Sequence, residues 1–387
     1  AEVIIIGAGV IGNSIAFHLA KLGCHDVLVL EKNYIGSGAT EKCAGGIRQQ
    51  FSTEANIRLS VESVRFFQNF EEETGYAADF RQHGYLILAT TENEMETFRQ
   101  NIKLQRKFGI DVELLSPAEV SKLVPWLNVT DILGATFCRT DGYADPYSVV
   151  NGFAGAARRM GIKILEDAEV IGIDLKGNRV EGVLTTAGRF NAPIVVNAAG
   201  PYAAVVGRMT GSSIPVHPTR RHILVSEPVF SRDKQTSDIW WQKLPQVIDF
   251  HNGFWFRREG PSLLFGMRNQ DEPESFSTEV DWDFFTNALA PAASHRLPKL
   301  ADTGIMRAQA GLHPDTADDM AIMGRVPDIR GLYIAGGFCG HGFMHSPAAG
   351  RLMAELISGK IASLSDAEVF NLERFQGRLN QKEKAFI

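Results

Sequence analysis

The first 32 residues constrain this chain more than any other stretch. Val3-Ile4-Ile5-Ile6 is a β-branched run of the kind buried on both faces of a parallel sheet. It breaks at once into Gly7-Ala8-Gly9-Val10-Ile11-Gly12. Asn13 to Leu22 then carries helical spacing, with Ile15, Leu19 and Leu22 on one side and Gly23 as the stop. Val27 to Leu30 is a second apolar strand, and it ends in Glu31. Each part has a physical task. Gly7 permits the tight turn, Gly9 lets the backbone approach a pyrophosphate, and Gly12 lets helix and strand pack closely. The phosphates would meet the free N–H groups and the positive end of the helix at Val10 and Ile11. Glu31 can accept the ribose hydroxyls of an adenosine. G-x-G-x-x-G alone is weak evidence; in this complete β-α-β context it predicts dinucleotide binding.

Further small-residue loops follow. Gly36-Ser37-Gly38-Ala39-Thr40 and Cys43-Ala44-Gly45-Gly46-Ile47-Arg48 come soon after the second strand, and Asn197-Ala198-Ala199-Gly200 follows the buried strand 194–196. Near the end, the strand Leu332 to Ala335 runs into Gly336-Gly337-Phe338-Cys339-Gly340-His341-Gly342-Phe343. Ser346-Pro347 reads as the N-cap and first residue of a helix reaching about Ser358. A simple nicotinamide dehydrogenase needs only the first motif. Loops at both ends of the chain suit a long, bent ligand such as FAD, with adenosine at Glu31 and the isoalloxazine far from it. The closing helix would point its positive end at the flavin N1/C2=O edge, which becomes anionic on reduction.

Between these pieces the texture changes. Helices are expected at about 53–74, 91–108 and 145–161, with another opening at Ser116; capping boxes of Thr91 with Glu94 and Ser116 with Glu119 mark two of these starts. A hairpin is expected across Lys176-Gly177-Asn178. From about Ile214 the segments are extended and aromatic-rich, with a hairpin turn at Asn252-Gly253, and predict an antiparallel sheet. The expected architecture is α/β: a Rossmann-type FAD-binding domain of glutathione-reductase style, with an inserted antiparallel-sheet substrate domain. The FAD-binding domain takes residues 1–80, 141–213 and 320–387, and the substrate domain takes 81–140 and 214–319.

The 387-residue length suits two domains, and the net charge of −6 argues against a nucleic-acid partner. No apolar run approaches the roughly 20 residues that span a bilayer. Four scattered cysteines (Cys24, Cys43, Cys138, Cys339) lack metal spacing and read as free thiols of a reducing compartment. A cytoplasmic location is expected, and no metal site.

The motif at 7–12, the loop from Gly36 to Arg48 and the closing glycine-histidine-glycine segment resemble the D-amino acid oxidase family of flavoproteins. Within that family the chain is most similar to the sarcosine oxidase β-subunit, dye-linked L-proline dehydrogenase β-subunit and glycine oxidase group. The resemblance runs over essentially the whole chain. It implies FAD, expected to be non-covalent, and oxidation of an amino acid at its C–N bond. It also implies cofactor contacts from Gly7, Gly9, Val10, Ile11, Gly12, Glu31 and Lys32 in the first unit. Gly38, Ala39, Thr40, Gly45, Gly46 and Ile47 are expected to contribute from the second, and Val170, Ala198, Ala199 and Gly200 from the middle. The closing segment would add Gly337, Gly340, His341, Gly342, Phe343 and Met344. A flavin–sulfur bond through Cys43 or Cys339 is the alternative attachment.

Several positions depart from the family pattern. The cysteine that attaches flavin in monomeric sarcosine oxidases aligns with Gly311, and their carboxylate-binding lysine aligns with Met344. The carboxylate-binding arginine of glycine oxidase becomes His313, in Gly311-Leu312-His313-Pro314. An oxygen-activating lysine aligns with Leu264, which favours a dehydrogenase over an oxidase. Arg48 is the expected carboxylate anchor, because a guanidinium can bind in a bidentate way. His313, His341, Met344 and Tyr85 complete the expected active-site set, with His222, His345 and Arg258 as weaker candidates. Trp240-Trp241 and Phe254-Trp255-Phe256 read first as core and second as a pocket wall. Three alternatives stay open: an NAD(P)-linked enzyme, an oxygen-using oxidase, and a flavoenzyme acting on a 2-hydroxy acid or glycerol phosphate. The expected partners are a small amino acid and, by the likeness to β-subunits, an α-subunit or electron-transfer protein with FMN at the interface.

Overall fold

The computed structural model describes residues 1–229, 238–365, 367–377 and 381–385. Its organising layer is a six-stranded sheet in the order Ile322–Arg325, Leu332–Gly336, Ile194–Asn197, Val3–Ile6, Val27–Leu30, Lys163–Leu165. All neighbours are parallel except the first pair, which is antiparallel. The opening strand divides its side chains between two cores. Val3 and Ile5 join the helices, whereas Ile4 and Ile6 pack towards the three-stranded meander Val170–Lys176, Arg179–Thr185 and Gly188–Asn191. That two-sided burial is why the run is apolar without alternation.

The helix Val10–Lys21 packs against the closing helix Gly342–Ile357. Ser14 Oγ donates to the backbone oxygen of Ser346 at 2.7 Å, tying the two ends of the chain together. The closing helix starts five residues earlier than Ser346-Pro347 suggests, so Pro347 lies inside it. A proline there removes an N–H and leaves the Phe343 carbonyl without its helical partner. The Ser346 hydroxyl takes that place, donating to Phe343 O at 2.8 Å. The N-cap signature was a local repair within the helix rather than its beginning.

The second sheet has eight strands, in the order Ile305–Asp315, His217–Ser226, Ser262–Gly266, Trp255–Glu259, Gln246–Asp249, Tyr85–Ala89, Gly134–Cys138, Val112–Leu115. It is antiparallel apart from Gln246–Asp249 against Tyr85–Ala89, a parallel pair that makes the sheet mixed. The expected helix over 53–74 is broken at Asn69 into Glu54–Gln68 and Phe70–Thr74. Both capping boxes form as read. Residues 230–237, within the stretch read as part of the substrate domain, lie outside the described residues.

Candidate functional site

Between the two sheets runs a cavity of about 530 Å³, continuous from the first β-α-β unit to the eight-stranded sheet. At one end lie Gly7, Gly9, Val10, Ile11, Glu31 and Lys32. The Glu31 carboxylate is positioned by backbone N–H groups, accepting from Ala8 at 2.9 Å and Asn33 at 3.1 Å. Thr40 Oγ1 accepts from the Val10 N–H at 3.1 Å, which joins the second loop to the start of the first helix. Lys32 Nζ sits 3.6 Å from the centre of the Tyr202 ring, and Phe276 stacks on that ring at 4.8 Å.

The middle of the cavity is lined by Gly38, Ala39, Thr40, Gly45 and Gly46, and by Val170, Ala198, Ala199 and Gly200. Gly340, His341, Gly342, Phe343 and Met344 bring the start of the closing helix to the same wall. A 16-residue helix with its free N–H groups facing a cavity favours negative charge there. Three residues expected to touch the cofactor do not line the cavity: Gly12, Ile47 and Gly337. A Cβ on Gly12 would fall 1.9 Å from the Gly7 oxygen, so this glycine serves the close packing of helix on strand. Ile47 is fully buried in the helical core. A Cβ on Gly337 would meet the Thr316 methyl at 2.5 Å, so that turn packs on its neighbour rather than on a ligand.

The far end is formed by the eight-stranded sheet. Arg48, Tyr85, His313, His341 and Met344 all reach it, together with residues the sequence reading did not single out for the site: Gln246, Ile248, Met267, Arg221, Arg268 and Lys42. The missed residues carry a faint sequence signal. Gln246 and Ile248 are alternate positions on one strand, as are Arg221 and Ile223, and each pair shares a face. Without the sheet order, nothing says which face is inward.

Arg48 is not a free fork. Its Nη1 donates to Gln50 O at 2.6 Å, while Nη2 donates to Ala385 O at 2.6 Å and lies 3.2 Å from His341 Nε2. The guanidinium also rests over the Phe51 ring at 4.1 Å. Bidentate capture of a carboxylate is therefore replaced by a buried positive charge held in place by neutral groups. Desolvation lowers its pKa, and the more distant charge of Glu383 opposes that shift. His313 lies against Gly340, where a Cβ would come within 2.5 Å of the ring, and its Nδ1 is buried with no partner among the described residues. Burial, then the charges of Arg221 and Arg268, hold its pKa well below the usual value. A neutral imidazole does not take over the carboxylate-binding charge of an arginine.

Of the weaker candidates, His222 lines the cavity, and His345 and Arg258 do not. His345 sits behind the wall, with Nε2 2.9 Å from Ser60 Oγ. Trp241 belongs to the sheet core with Trp126 and Trp240, while Trp255 lines the cavity. Leu264 lies outside the lining, and Met267 and Arg268 are the cavity residues of that stretch. Gly311 lines the cavity facing the Lys42 side chain. Burial pushes the Cys43 thiol up to about 12 and raises that of Cys339 as well. Burial thus favours the thiol over the thiolate at both. Among the described residues no helix is long and apolar enough to cross a membrane.

With this geometry in hand, comparison with known proteins is specific. Residues 2–356 match the family DAO, described as FAD dependent oxidoreductase. The mitochondrial sarcosine dehydrogenase of Homo sapiens is 30% identical over 395 residues, covering 98% of this chain and 42% of that protein. The chain thus spans about two fifths of that relative's length. The L-proline dehydrogenase of P. horikoshii superposes with a TM-score of 0.89 at 34% identity, covering 97% of this chain and 98% of that one. Glycine oxidase from Geobacillus kaustophilus gives 0.84 at 29% identity, covering 96% and 98%. A nicotinamide-dependent reading is set aside, and the chain belongs to the DAO family of FAD-dependent oxidoreductases.

Proposed function

We propose that this chain oxidises the C–N bond of a small amino acid with a secondary or primary amine, and that the electrons leave to an acceptor other than oxygen. The observation that carries the reading is the single cavity joining Glu31 to the Tyr85, Gln246 and Trp255 wall past the start of the closing helix. Its shape and chemistry fit FAD. Glu31 and the start of the first helix suit the adenosine and diphosphate, and the N–H groups at Gly342 to Met344 suit an electron-rich ring edge. Bound FAD supplies the hydride acceptor, flavin N5, for the hydrogen on the carbon beside nitrogen.

The protein's part is orientation and dryness. Ile248, Trp255 and Met267 form an apolar wall that favours the neutral amine over the ammonium. Arg48 is a buried cation with no carboxylate in ion-pair range among the described residues, and it draws the substrate carboxylate to this end. Oxidation gives an imine that water hydrolyses after release. In this reading residues 1–80, 141–213 and 320–387 hold non-covalent FAD, and 81–140 and 214–319 hold the substrate. The names of sarcosine dehydrogenase and L-proline dehydrogenase support a non-oxygen acceptor and, with it, an electron-transfer partner.

The test is turnover of the purified protein with sarcosine, proline, glycine, D-amino acids and 2-hydroxy acids, using oxygen or an artificial dye as acceptor. The reading expects an amine substrate, carbonyl product and faster turnover with the dye. Oxidation of the 2-hydroxy acids alone overturns the amine assignment, and equal rates with oxygen overturn the acceptor.

A further inference from the structure

Two polar side chains of the cavity wall, Tyr85 and Gln246, stand side by side without a side-chain partner among the described residues. They are opposite residues on the two parallel strands of the eight-stranded sheet, and both line the cavity at its substrate end. Tyr85 is 2% exposed and Gln246 5%. The carboxamide oxygen of Gln246 is buried without a partner among the described residues. The Tyr85 carbonyl accepts a bond from Gln50 Nε2 at 3.2 Å, but its hydroxyl has no such partner among those residues. A Cβ on Gly46 would fall 1.9 Å from the hydroxyl and 3.2 Å from the carboxamide oxygen, so both groups converge on the bare backbone there, which offers them room that a side chain would fill.

A buried polar group without a hydrogen bond is destabilising, and the Gln246 oxygen, beside the unpaired Tyr85 hydroxyl in a wall that also holds Ile248, Trp255 and Met267, calls for a ligand. Whichever way the carboxamide is turned, it presents one donor and one acceptor, and the phenol adds a hydroxyl that can do either. Neither group is charged. Burial raises the Tyr85 pKa far above its ordinary value, so the phenol keeps its proton. The complement of this pair is a neutral group that both donates and accepts.

We infer that Tyr85 and Gln246 determine specificity by reading a hydroxyl on the substrate, beyond the amine and carboxylate that all amino acids share. The inference rests on the amino acid reading above and adds a substrate class to it: hydroxylated or hydroxyalkylated small amino acids. A pocket built to hydrogen-bond a substrate hydroxyl rejects the analogue lacking it far more strongly than an apolar pocket rejects an extra methylene.

The experiment measures binding to the FAD-loaded protein from the perturbation of its flavin absorption band. The probes are (2-hydroxyethylthio)acetate and (propylthio)acetate, in which sulfur replaces the oxidisable nitrogen and the two differ only by hydroxyl against methyl. The expected result is binding of the hydroxyl ligand roughly tenfold tighter or more, with Tyr85→Phe and Gln246→Met each moving the ratio towards one or below. Retained flavin content shows that each variant has folded. Equal binding of the two ligands, or a preference that neither substitution alters, overturns the inference while leaving the amine reading intact. Failure of both ligands to bind overturns the amine reading, and the inference with it.

Discussion

Nη2 of Arg48 lies 3.2 Å from Nε2 of His341, and the same nitrogen donates to Ala385 O at 2.6 Å. A guanidinium only donates, so His341 Nε2 accepts and the ring carries its proton on Nδ1. Burial and the adjacent Arg48 hold its pKa well below the ordinary histidine value. His341 is thus a neutral group that orients Arg48, the buried cation of this cavity wall.

Removing that charge affects substrate capture first. Arg48→Met is expected to lower kcat/KM by about 10- to 100-fold, the equivalent of one charge-assisted hydrogen bond. The loss should fall mainly in KM, with Arg48→Lys recovering part of it, as steady-state kinetics will read.

The far end of the chain supports the same residue. The Glu383 carboxylate accepts from the Ser52 and Thr53 N–H groups at 2.8 and 3.2 Å, and from Thr53 Oγ1 and Asn56 Nδ2 at 2.7 and 2.9 Å. It thereby caps the helix Glu54–Gln68, whose own N-cap side chain makes no capping bond. Glu383→Ala leaves several buried donors unpaired and should cost about 2 to 4 kcal/mol in urea unfolding. It should also loosen Ala385 from Arg48 and raise KM.

His345 is buried beside Ser60, and burial, followed by Arg48, lowers its pKa from 6.5 to about 3. Between those values the unfolded chain binds the proton and the folded chain does not. The stability contribution is therefore intact above 6.5 and lost as the pH falls towards 3. Each unit below 6.5 costs about 1.4 kcal/mol from this residue. His345→Gln should lose less stability than the parent between about pH 7.5 and pH 5.5, as denaturant midpoints at the two pH values will test.

Glu31 tests the adenosine end. Glu31→Ala removes an acceptor fixed by two backbone N–H groups. It should weaken FAD affinity by about 10- to 100-fold, measured from flavin fluorescence released on dilution. Unchanged retention would remove Glu31 from the cofactor site.

Much of this was legible in the chain, because the opening unit combines local signals that agree: a β-branched strand, a glycine turn, a periodic helix and an acid at the next strand end. The same holds for the Thr91 and Ser116 caps. Pro347 misled because a proline after serine looks the same whether it opens a helix or is tolerated inside one, and only the Ser346–Phe343 bond distinguishes them. Arg48 lines the cavity, and its partners at Gln50 O and Ala385 O are backbone atoms that carry no sequence signature. Gln246 could not be read because its importance depends on lying opposite Tyr85, across a parallel pairing between strands some 160 residues apart.

The most direct test is anaerobic titration of the purified, FAD-loaded protein with sarcosine, proline and their hydroxylated analogues, following the visible flavin band. The account predicts that at least one of these amines bleaches the band without any added acceptor and that the colour returns on adding a dye. A flavin that none of them reduces, or a folded protein that carries no flavin, would contradict it.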